Sequence, residues 1–155
     1  MRAVIQRVKS ARVDILEGGT RRTSGEIGAG LLVLLAVANG DTSDDVDWLV
    51  GKISALRIFE DADGKMNLSV LDVGGDALVV SQFTLYGNVR KGSRPSFNRS
   101  APPPVSMPLY DEFLAKLSAT LGRAVPHGEF GAYMEVSLVN DGPITIILDS
   151  QNRDI

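Results

Sequence analysis

The chain has 155 residues, of which 44% are hydrophobic and 23% charged, a composition typical of one soluble globular domain. It contains no cysteine, which excludes disulfides and thiolate chemistry. No apolar run approaches the ~20 residues that span a membrane, and the N-terminus has no apolar stretch of signal-peptide length. We therefore expect a cytoplasmic protein that does not enter membranes.

The net charge of −3 argues against a protein that coats nucleic acid in general. The charges are unevenly distributed, however. Residues 86–108 hold four cations and no acid: Arg90, Lys91, Arg94 and Arg99. The first twelve residues add four more, again without an acid: Arg2, Arg7, Lys9 and Arg12. A local basic surface on an acidic body predicts a protein that binds one phosphate-bearing ligand.

The chain begins with two predicted strands, residues 2–8 and 11–16. In the first, alternation places Arg7 on the same face as Ala3 and Ile5. Such an arginine either reaches water at a sheet edge, which is the more common case, or pairs with carbonyl or carboxylate groups. The three glycines at positions 25, 28 and 30 predict bends between strands. They do not indicate a phosphate-binding loop, because the lysine of such a loop is missing.

Residues 31–38 are apolar on both faces, which predicts a central, buried strand. Residues 41–45 read as a helix start, and the apolar stripe that follows repeats at helical spacing. Asp63-Gly64 predicts a hairpin turn. A second helix is predicted after Pro108, with its buried stripe running to Leu121 and Gly122 ending it.

A second buried strand is predicted from Ala77 to Leu85. On a strand, Gln82 and Thr84 share one face, while Ser81 and Phe83 share the other. Two polar residues at the end of an apolar strand predict the polar wall of a pocket; the alternative is that they satisfy only neighbouring backbone groups. Residues 86–107 lack periodicity, and long loops of this kind are often functional.

The last strands are predicted at residues 134–139 and 144–148, with Asn140-Asp141-Gly142-Pro143 between them. Asp-Gly between apolar runs normally indicates a hairpin, so the simplest interpretation is a surface turn. Proline lacks the N–H that a sheet needs, and an X-Pro bond is one of the few that can be cis. The tail, residues 151–155, is expected to be loose, which leaves residues 1–150 as the domain.

The stretches Ser81-Gln82-Phe83-Thr84-Leu85 and Asn140-Asp141-Gly142-Pro143-Ile144-Thr145 together resemble the two signature motifs of the D-aminoacyl-tRNA (D-tyrosyl-tRNA) deacylase family. Further segments agree in order and spacing over nearly the whole chain: 5–8, 25–28, 57–59, 64–68 and 94–97. The resemblance implies a single α+β domain in which two helices cover a mixed β-sheet that curls towards a barrel.

The resemblance also implies the activity: hydrolysis of the ester of D-aminoacyl-tRNA, and of glycyl-tRNA, to a free amino acid and tRNA. It implies a homodimer with the active site at the interface, and neither cofactor nor metal. The catalytic motif is matched by Ser81, Gln82, Phe83 and Thr84. Substrate-binding positions are matched by Arg7, Phe130, Met134, Asn140, Gly142 and Pro143. The basic residues expected to bind tRNA are Arg90, Lys91, Arg94 and Arg99.

The residue inventory limits the chemistry. The single histidine, His127, lies between proline and glycine and is poorly placed for a Ser-His-Asp triad. The usual nitrogen and sulfur ligands of zinc are missing, and no carboxylate pair stands out as acid and base. Backbone N–H groups can still hold an ester oxygen as negative charge develops on it. Because no base is evident for Thr84, we expect this residue to support the reaction without attacking the ester.

Two alternatives remain open at this point. One is an RNA-binding module that kept the fold without catalysis; the other is an editing hydrolase that removes a wrong L-amino acid. The polar pair Gln82/Thr84 and the intact Gly142-Pro143 favour the deacylase. We expect a cis Gly142–Pro143 bond whose carbonyls face the α-carbon of the substrate and exclude an L-side chain, with Arg7 holding the loop through a carbonyl.

Overall fold

The computed structural model describes residues 1–155. Seven strands and two α-helices follow one another as β1 (Arg2–Glu17), β2 (Thr20–Ile27), β3 (Gly30–Ala36), α1 (Ser43–Ala55), β4 (Phe59–Glu60), β5 (Met66–Leu68), β6 (Asp76–Ser81), α2 (Pro103–Leu121) and β7 (Met134–Asp149). A short 3-10 helix, Phe83–Tyr86, follows β6.

Strand β1 is the centre of the main sheet. Its first half lies between β3 and the second half of β7, and its second half lies between β2 and the first half of β7. The two strands expected at 2–8 and 11–16 are thus one strand. The β1–β7 pairing slips around Val8 and Ser10, where Lys9 has no partner in β7. An extra residue of this kind bends a strand without ending it.

The sheet is mixed, because β3 and β6 pair in parallel while β1 pairs antiparallel with all its neighbours. Both helices cover one face of it. Ile5, Leu31 and Val79 on that face pack against Leu49 of α1 and Phe113 of α2 in the largest core cluster. A second cluster fills the other face, where the sheet curls over itself: Val8, Ala11, Val13, Ile27, Leu32, Leu78 and Val80. The expected α+β domain with a curled sheet is confirmed.

Helix α1 begins where the sequence predicts. The Thr42 side chain accepts from the Asp44 N–H, and the Asp45 carboxylate accepts from the Thr42 N–H in return. Such reciprocal bonds satisfy N–H groups that have no partner within the first turn of a helix. The expected turn at Asp63-Gly64 is also present, with Gly64 at φ 73°.

The prediction for the start of α2 is wrong by six residues. The helix begins at Pro103 and contains Pro108. Proline is tolerated in the first turn because the N–H groups there have no acceptor within the helix. Pro108 is exposed, so the carbonyl that it leaves unpaired can face water. The buried stripe is as expected, and Gly122 ends the helix in the left-handed conformation at φ 75°.

The predicted strand from Ala77 to Leu85 is too long. Strand β6 ends at Ser81, and the Gln82 N–H makes a last sheet-like bond to the Leu35 carbonyl, 2.8 Å away. The chain then turns into the 3-10 helix, where the Leu85 N–H donates to the Gln82 carbonyl. The apolar residues after Gln82 suggested a continuing strand, but Leu85 and Tyr86 pack beside Ala36 and Ala38 from the turn.

The interpretation of residues 140–143 as a surface turn between two strands is also wrong. Both halves of β7 run in the same direction along β1, so the chain does not reverse. Gln6 pairs with Thr145 and Val8 pairs with Asn140, which leaves residues 141–144 opposite the single residue Arg7. We call residues 141–144 the Gly-Pro bulge. A proline disrupts a ladder, and a bulge is one of the few places where a sheet accepts it.

The tail lies against the start of α1. Gln151 Nε2 donates to the Asp45 carboxylate at 2.9 Å, and the Arg153 guanidinium lies over the Trp48 ring at 4.8 Å. No helix is long and apolar enough to cross a membrane.

Candidate active site

Two adjoining cavities open at the end of β6. One, of about 330 Å³, extends between the sheet and the start of α2, where Pro103, Ser106 and Tyr110 line it. The other, of about 280 Å³, extends along the start of β7. They share four lining residues: Ser81, Phe83, Phe130 and Gly131. The sequence placed Ser81 and Phe83 on the face away from Gln82, but in the structure all three line the second cavity.

The 3-10 helix presents polar groups at the shared wall. The N–H groups of Phe83 and Thr84 begin this helix and have no hydrogen-bond acceptor in the chain, as is usual for the first N–H groups of a helical segment. Gln82 Nε2 donates to the Thr84 hydroxyl at 2.5 Å, and this carboxamide is the only side chain bonded to that hydroxyl. Thr84 is exposed, so the hydroxyl is accessible but has no base beside it.

Three further residues hold the 3-10 helix in place. The Ser100 hydroxyl donates to the Phe83 carbonyl at 3.0 Å, and the Phe97 ring meets the Phe83 ring edge-on with centroids 5.1 Å apart. Arg2 donates to the Leu85 carbonyl at 2.9 Å while pairing with the buried Asp149. None of the three was predicted from the sequence as a site residue. Phe97 could have been found from the sequence, because it is an aromatic residue in an aperiodic basic loop.

Phe130 and Met134 both line the second cavity. The Phe130 ring packs against Tyr110 at 5.8 Å between centroids, which fixes it between the two cavities. The sulfur of Met134 lies close to Gly128; a Cβ on that glycine would come within 2.5 Å of it. Gly128 therefore leaves the space that Met134 needs to line the cavity.

The Gly-Pro bulge is held from β1 by Arg7. This side chain is 6% exposed and donates from Nε to the Asp141 carbonyl at 2.8 Å and from Nη1 to the Ile58 carbonyl at 2.7 Å. The expectation that Arg7 bonds a carbonyl of this loop is therefore confirmed. The Gly142–Pro143 peptide bond is cis. A Cβ on Gly142 would lie 2.5 Å from the backbone nitrogen of Ile144, so this position admits only glycine.

The structure does not bring the two motifs together within one chain. Pro143 lies beside Arg7, which pairs through Leu31 with Ala77, whereas Ser81 pairs through Leu35 with Ala3. The two sites thus differ by four residues along the strands and three strand spacings across the sheet. At the usual spacings of about 3.3 Å and about 4.8 Å, they are roughly 20 Å apart.

The basic loop, residues 87–99, follows the 3-10 helix. Its cations Arg90, Lys91, Arg94 and Arg99 are all exposed, and none forms an ion pair. The Arg99 guanidinium lies over the ring of the buried Tyr86 at 5.3 Å, and Arg2 lies over the same ring at 4.7 Å. Exposed cations without a carboxylate partner leave their charge available to an anionic ligand.

The comparisons with known proteins agree with this geometry. A family model described as D-Tyr-tRNA(Tyr) deacylase matches residues 4–149. A D-aminoacyl-tRNA deacylase of Chromobacterium violaceum is 57% identical over 154 residues, covering 99% of this chain and 100% of the relative. One of Thermosipho africanus is 56% identical over 151 residues, covering 97% of this chain and 98% of the relative.

Solved structures with the same fold are also known. A c-Myc DNA unwinding element binding protein superposes with a TM-score of 0.88 at 42% identity, covering 96% of this chain and 98% of the other. A probable eukaryotic D-amino acid tRNA deacylase superposes with a TM-score of 0.81 over 95% of this chain and 97% of the other; at 20% identity it shows the fold alone. The chain belongs to the D-Tyr-tRNA(Tyr) deacylase family. It is an enzyme, a hydrolase of carboxylic esters.

Proposed function

We propose that this hydrolase cleaves the ester bond of D-aminoacyl-tRNA in the cytoplasm, releasing the D-amino acid and tRNA. The observation that carries the proposal is the pair of free N–H groups at Phe83 and Thr84, placed between two adjoining cavities. A substrate whose terminal nucleoside and aminoacyl group are joined by one ester has the two-part shape that such cavities accept.

The chemistry follows from the groups at the shared wall. The N–H groups of Phe83 and Thr84 bind the ester oxygen as negative charge develops on it, which lowers the barrier to attack by water. Gln82 orients the Thr84 hydroxyl towards the substrate. The ribose hydroxyl next to the ester helps to position the water. Thr84 has no base to activate it, so it positions the substrate and forms no acyl intermediate.

Incubation with matched substrates tests the activity. We expect release of free amino acid from D-tyrosyl-tRNA and glycyl-tRNA and little from L-tyrosyl-tRNA. Cleavage of L-tyrosyl-tRNA at the rate of the D-isomer would favour the alternative of an L-editing enzyme, whereas tRNA binding without any cleavage would favour a binding module.

The Gly-Pro bulge is proposed to act on the site of a second copy. The bulge lies roughly 20 Å from Ser81 in its own chain on the usual sheet spacings, and Gly142 and Pro143 are exposed. Val139 and Ile147, on either side of the bulge, are exposed apolar side chains at 51% and 50%. A two-fold homodimer would cover them and bring each bulge to the partner's cavities, giving two equivalent sites.

Mixing two inactive variants distinguishes a shared site from a site within one chain. Phe83→Pro removes one of the two N–H groups that bind the ester oxygen, and Gly142→Ala places a Cβ against the Ile144 backbone, so that the distorted bulge blocks the partner's cavity. A mixed dimer then keeps one site with both elements intact, so random reassociation restores about a quarter of the sites. No recovery after mixing, or an active monomer in sedimentation at micromolar concentration, would contradict the shared site.

The bulge is further proposed to choose handedness by exclusion. Main-chain groups of the bulge, packed against the α-carbon of the substrate's amino acid, leave no space for the Cβ of an L-residue. A D-residue directs its side chain away from these groups. Glycine has no Cβ to reject, so glycyl-tRNA is cleaved as well. Cleavage of glycyl-tRNA is therefore a consequence of the filter and is measured in the same assay.

The basic loop is proposed to bind tRNA phosphates through Arg90, Lys91, Arg94 and Arg99. Because one similar solved structure is described as a DNA-element binding protein, binding of a DNA duplex is the second candidate for this surface. The two candidates are separated by measuring how strongly unlabelled tRNA and unlabelled duplex DNA each displace labelled tRNA from the protein at one salt concentration. We expect tRNA to compete more strongly.

A further inference from the structure

The side chain of Asn140 spans the Gly-Pro bulge. Its Oδ1 accepts from the Ile144 N–H at 2.8 Å, and its Nδ2 donates to the Ile144 carbonyl at 3.0 Å. One carboxamide thus pairs with both backbone groups of a single residue four positions later. Nδ2 also lies 3.3 Å from the Thr145 hydroxyl. These bonds tie together the two residues at which the regular ladder with β1 stops and resumes.

This pairing uses the hydrogen-bonding capacity of the carboxamide. An asparagine side chain has two N–H donors, and both are directed at partners within the chain, the Ile144 carbonyl and the Thr145 hydroxyl. Asn140 therefore has no donor left for a substrate. The resemblance to the family had suggested substrate binding for this residue, but its contacts are those of a residue that acts on the backbone.

The first residue of the bulge, Asp141, is held independently. Arg7 on β1 donates to the Asp141 carbonyl, whereas Asn140 bonds the backbone of Ile144, the last residue of the bulge. Between the two anchors only Gly142 and Pro143 are free of side-chain bonds, and these are the exposed residues. A loop that discriminates by exclusion needs such fixed ends, because a filter that yields by about 1 Å admits the wrong substrate.

We propose that Asn140, supported by Thr145, is a positioning residue that sets the selectivity of the enzyme for D- over L-substrates without contacting either. The proposal rests on the proposed function of the Gly-Pro bulge. It assigns a separate task to each polar residue of the motif: Asn140 and Thr145 close the bulge, and the Asp141 carbonyl receives Arg7.

The decisive variant is Asn140→Asp, which keeps the shape and the acceptor but removes both donors and places a carboxylate against the Ile144 carbonyl. We expect the ratio of kcat/KM for D-tyrosyl-tRNA to that for L-tyrosyl-tRNA to fall about tenfold or more, mainly through faster cleavage of the L-substrate. Thr145→Val, which removes one long bond, lowers the ratio about threefold or less, and Thr145→Ser restores it. The matched control Asn152→Asp, in the exposed tail, leaves it unchanged.

A readout that does not need activity separates this proposal from the proposed function. In the unmodified protein the Ile144 amide proton is expected to exchange slowly, and in Asn140→Ala faster, with the other β7 amides and the thermal midpoint little changed. Rapid exchange at Ile144 in the unmodified protein, or an Asn140→Asp enzyme with unaltered selectivity, overturns the positioning role. A protein that cleaves no D-tyrosyl-tRNA but protects Ile144 contradicts the proposed function alone.

Discussion

The Gly-Pro bulge and the basic loop are both aperiodic segments that carry proposed contacts to the substrate, yet they are built in opposite ways. The bulge lies within β7 and is held by two side chains: Arg7, which is 6% exposed, and Asn140, which bonds the backbone of Ile144. The basic loop is exposed along nearly its whole length. Its main internal support is the backbone pair of Asn88 and Ser96.

The difference fits the tasks proposed for the two segments. Exclusion of one stereoisomer requires atoms that stay in place, and partly buried hydrogen bonds from Arg7 and Asn140 hold them. Attraction of phosphate requires only charge near the site, since Coulomb forces act over several ångströms and tolerate motion. Arg99 is intermediate, because stacking on Tyr86 orients its guanidinium while leaving it exposed.

The largest effect is expected from replacing all four cations of the basic loop by alanine. The slope of log K against log salt should become shallower by roughly one unit per cation, and affinity for tRNA in low salt should fall by roughly two to three orders of magnitude. Binding titrations at several salt concentrations measure it. The control Arg22→Ala removes an arginine already paired with Glu129. An unchanged slope in the fourfold variant would mean that the loop is merely solvated.

The next largest effect is expected from removing Arg7, which holds the Gly-Pro bulge. Arg7→Ala leaves the carbonyls of Asp141 and Ile58 without their charged donor, so the free energy of unfolding should fall by about 3 kcal/mol. Urea denaturation measures this change, and the D-over-L ratio of kcat/KM should fall with it. Arg57→Ala is the matched control, since Arg57 also bonds a carbonyl but is exposed. Equal losses in both variants would remove the distinction between a buried anchor and a surface bond.

A smaller effect is expected at the turn between the two cavities. Thr84→Ala removes one hydroxyl that receives a bond from Gln82, so kcat/KM for D-tyrosyl-tRNA should fall only about fivefold. Steady-state kinetics checks the figure, and Thr120→Ala on α2 serves as the control. Complete loss of turnover with normal tRNA binding, or a trapped acyl-threonine, would show that Thr84 is the nucleophile.

The smallest effect concerns the residue under Arg99. The Tyr86 hydroxyl is buried and has no hydrogen-bond partner, so Tyr86→Phe should leave the free energy of unfolding at pH 7 unchanged or raise it by up to about 1 kcal/mol. Because the ring remains, Arg99 keeps its position, and the affinity for tRNA should not change. A clear loss of stability in the variant would reveal a partner for this hydroxyl.

The Tyr86 hydroxyl should also make the free energy of unfolding of the unmodified protein depend on pH. Burial raises the pKa of the Tyr86 hydroxyl above its ordinary value. A raised pKa contributes stability that is present below the unfolded value of about 10 and is lost as the pH rises above it. The unmodified protein should therefore lose more stability than Tyr86→Phe between neutral and strongly alkaline pH, as measured by urea midpoints.

The sequence predicted the features that depend on local pattern. The stripe of apolar residues in each helix, the buried strand β3 and the turn at Gly64 follow from periodicity and from turn residues. The motifs at 81–84 and 140–143 indicated the family, and the apolar neighbours of Arg7 left pairing with carbonyl groups as one of two possibilities, which the structure shows to be the correct one.

What the sequence by itself determined, then, is which residues are core and to which family the chain belongs, because periodicity and short motifs are local properties. Tertiary structure alone decided how they are joined. An Asp-Gly-Pro stretch forms a hairpin when the chain reverses and a bulge when β1 continues beside it, and only the long partner strand selects between them. Likewise, Leu85 and Tyr86 leave the strand because Ala36 and Ala38 offer them a packing surface. Pairing across long sequence separations is a property of the whole sheet, so no local pattern encodes it.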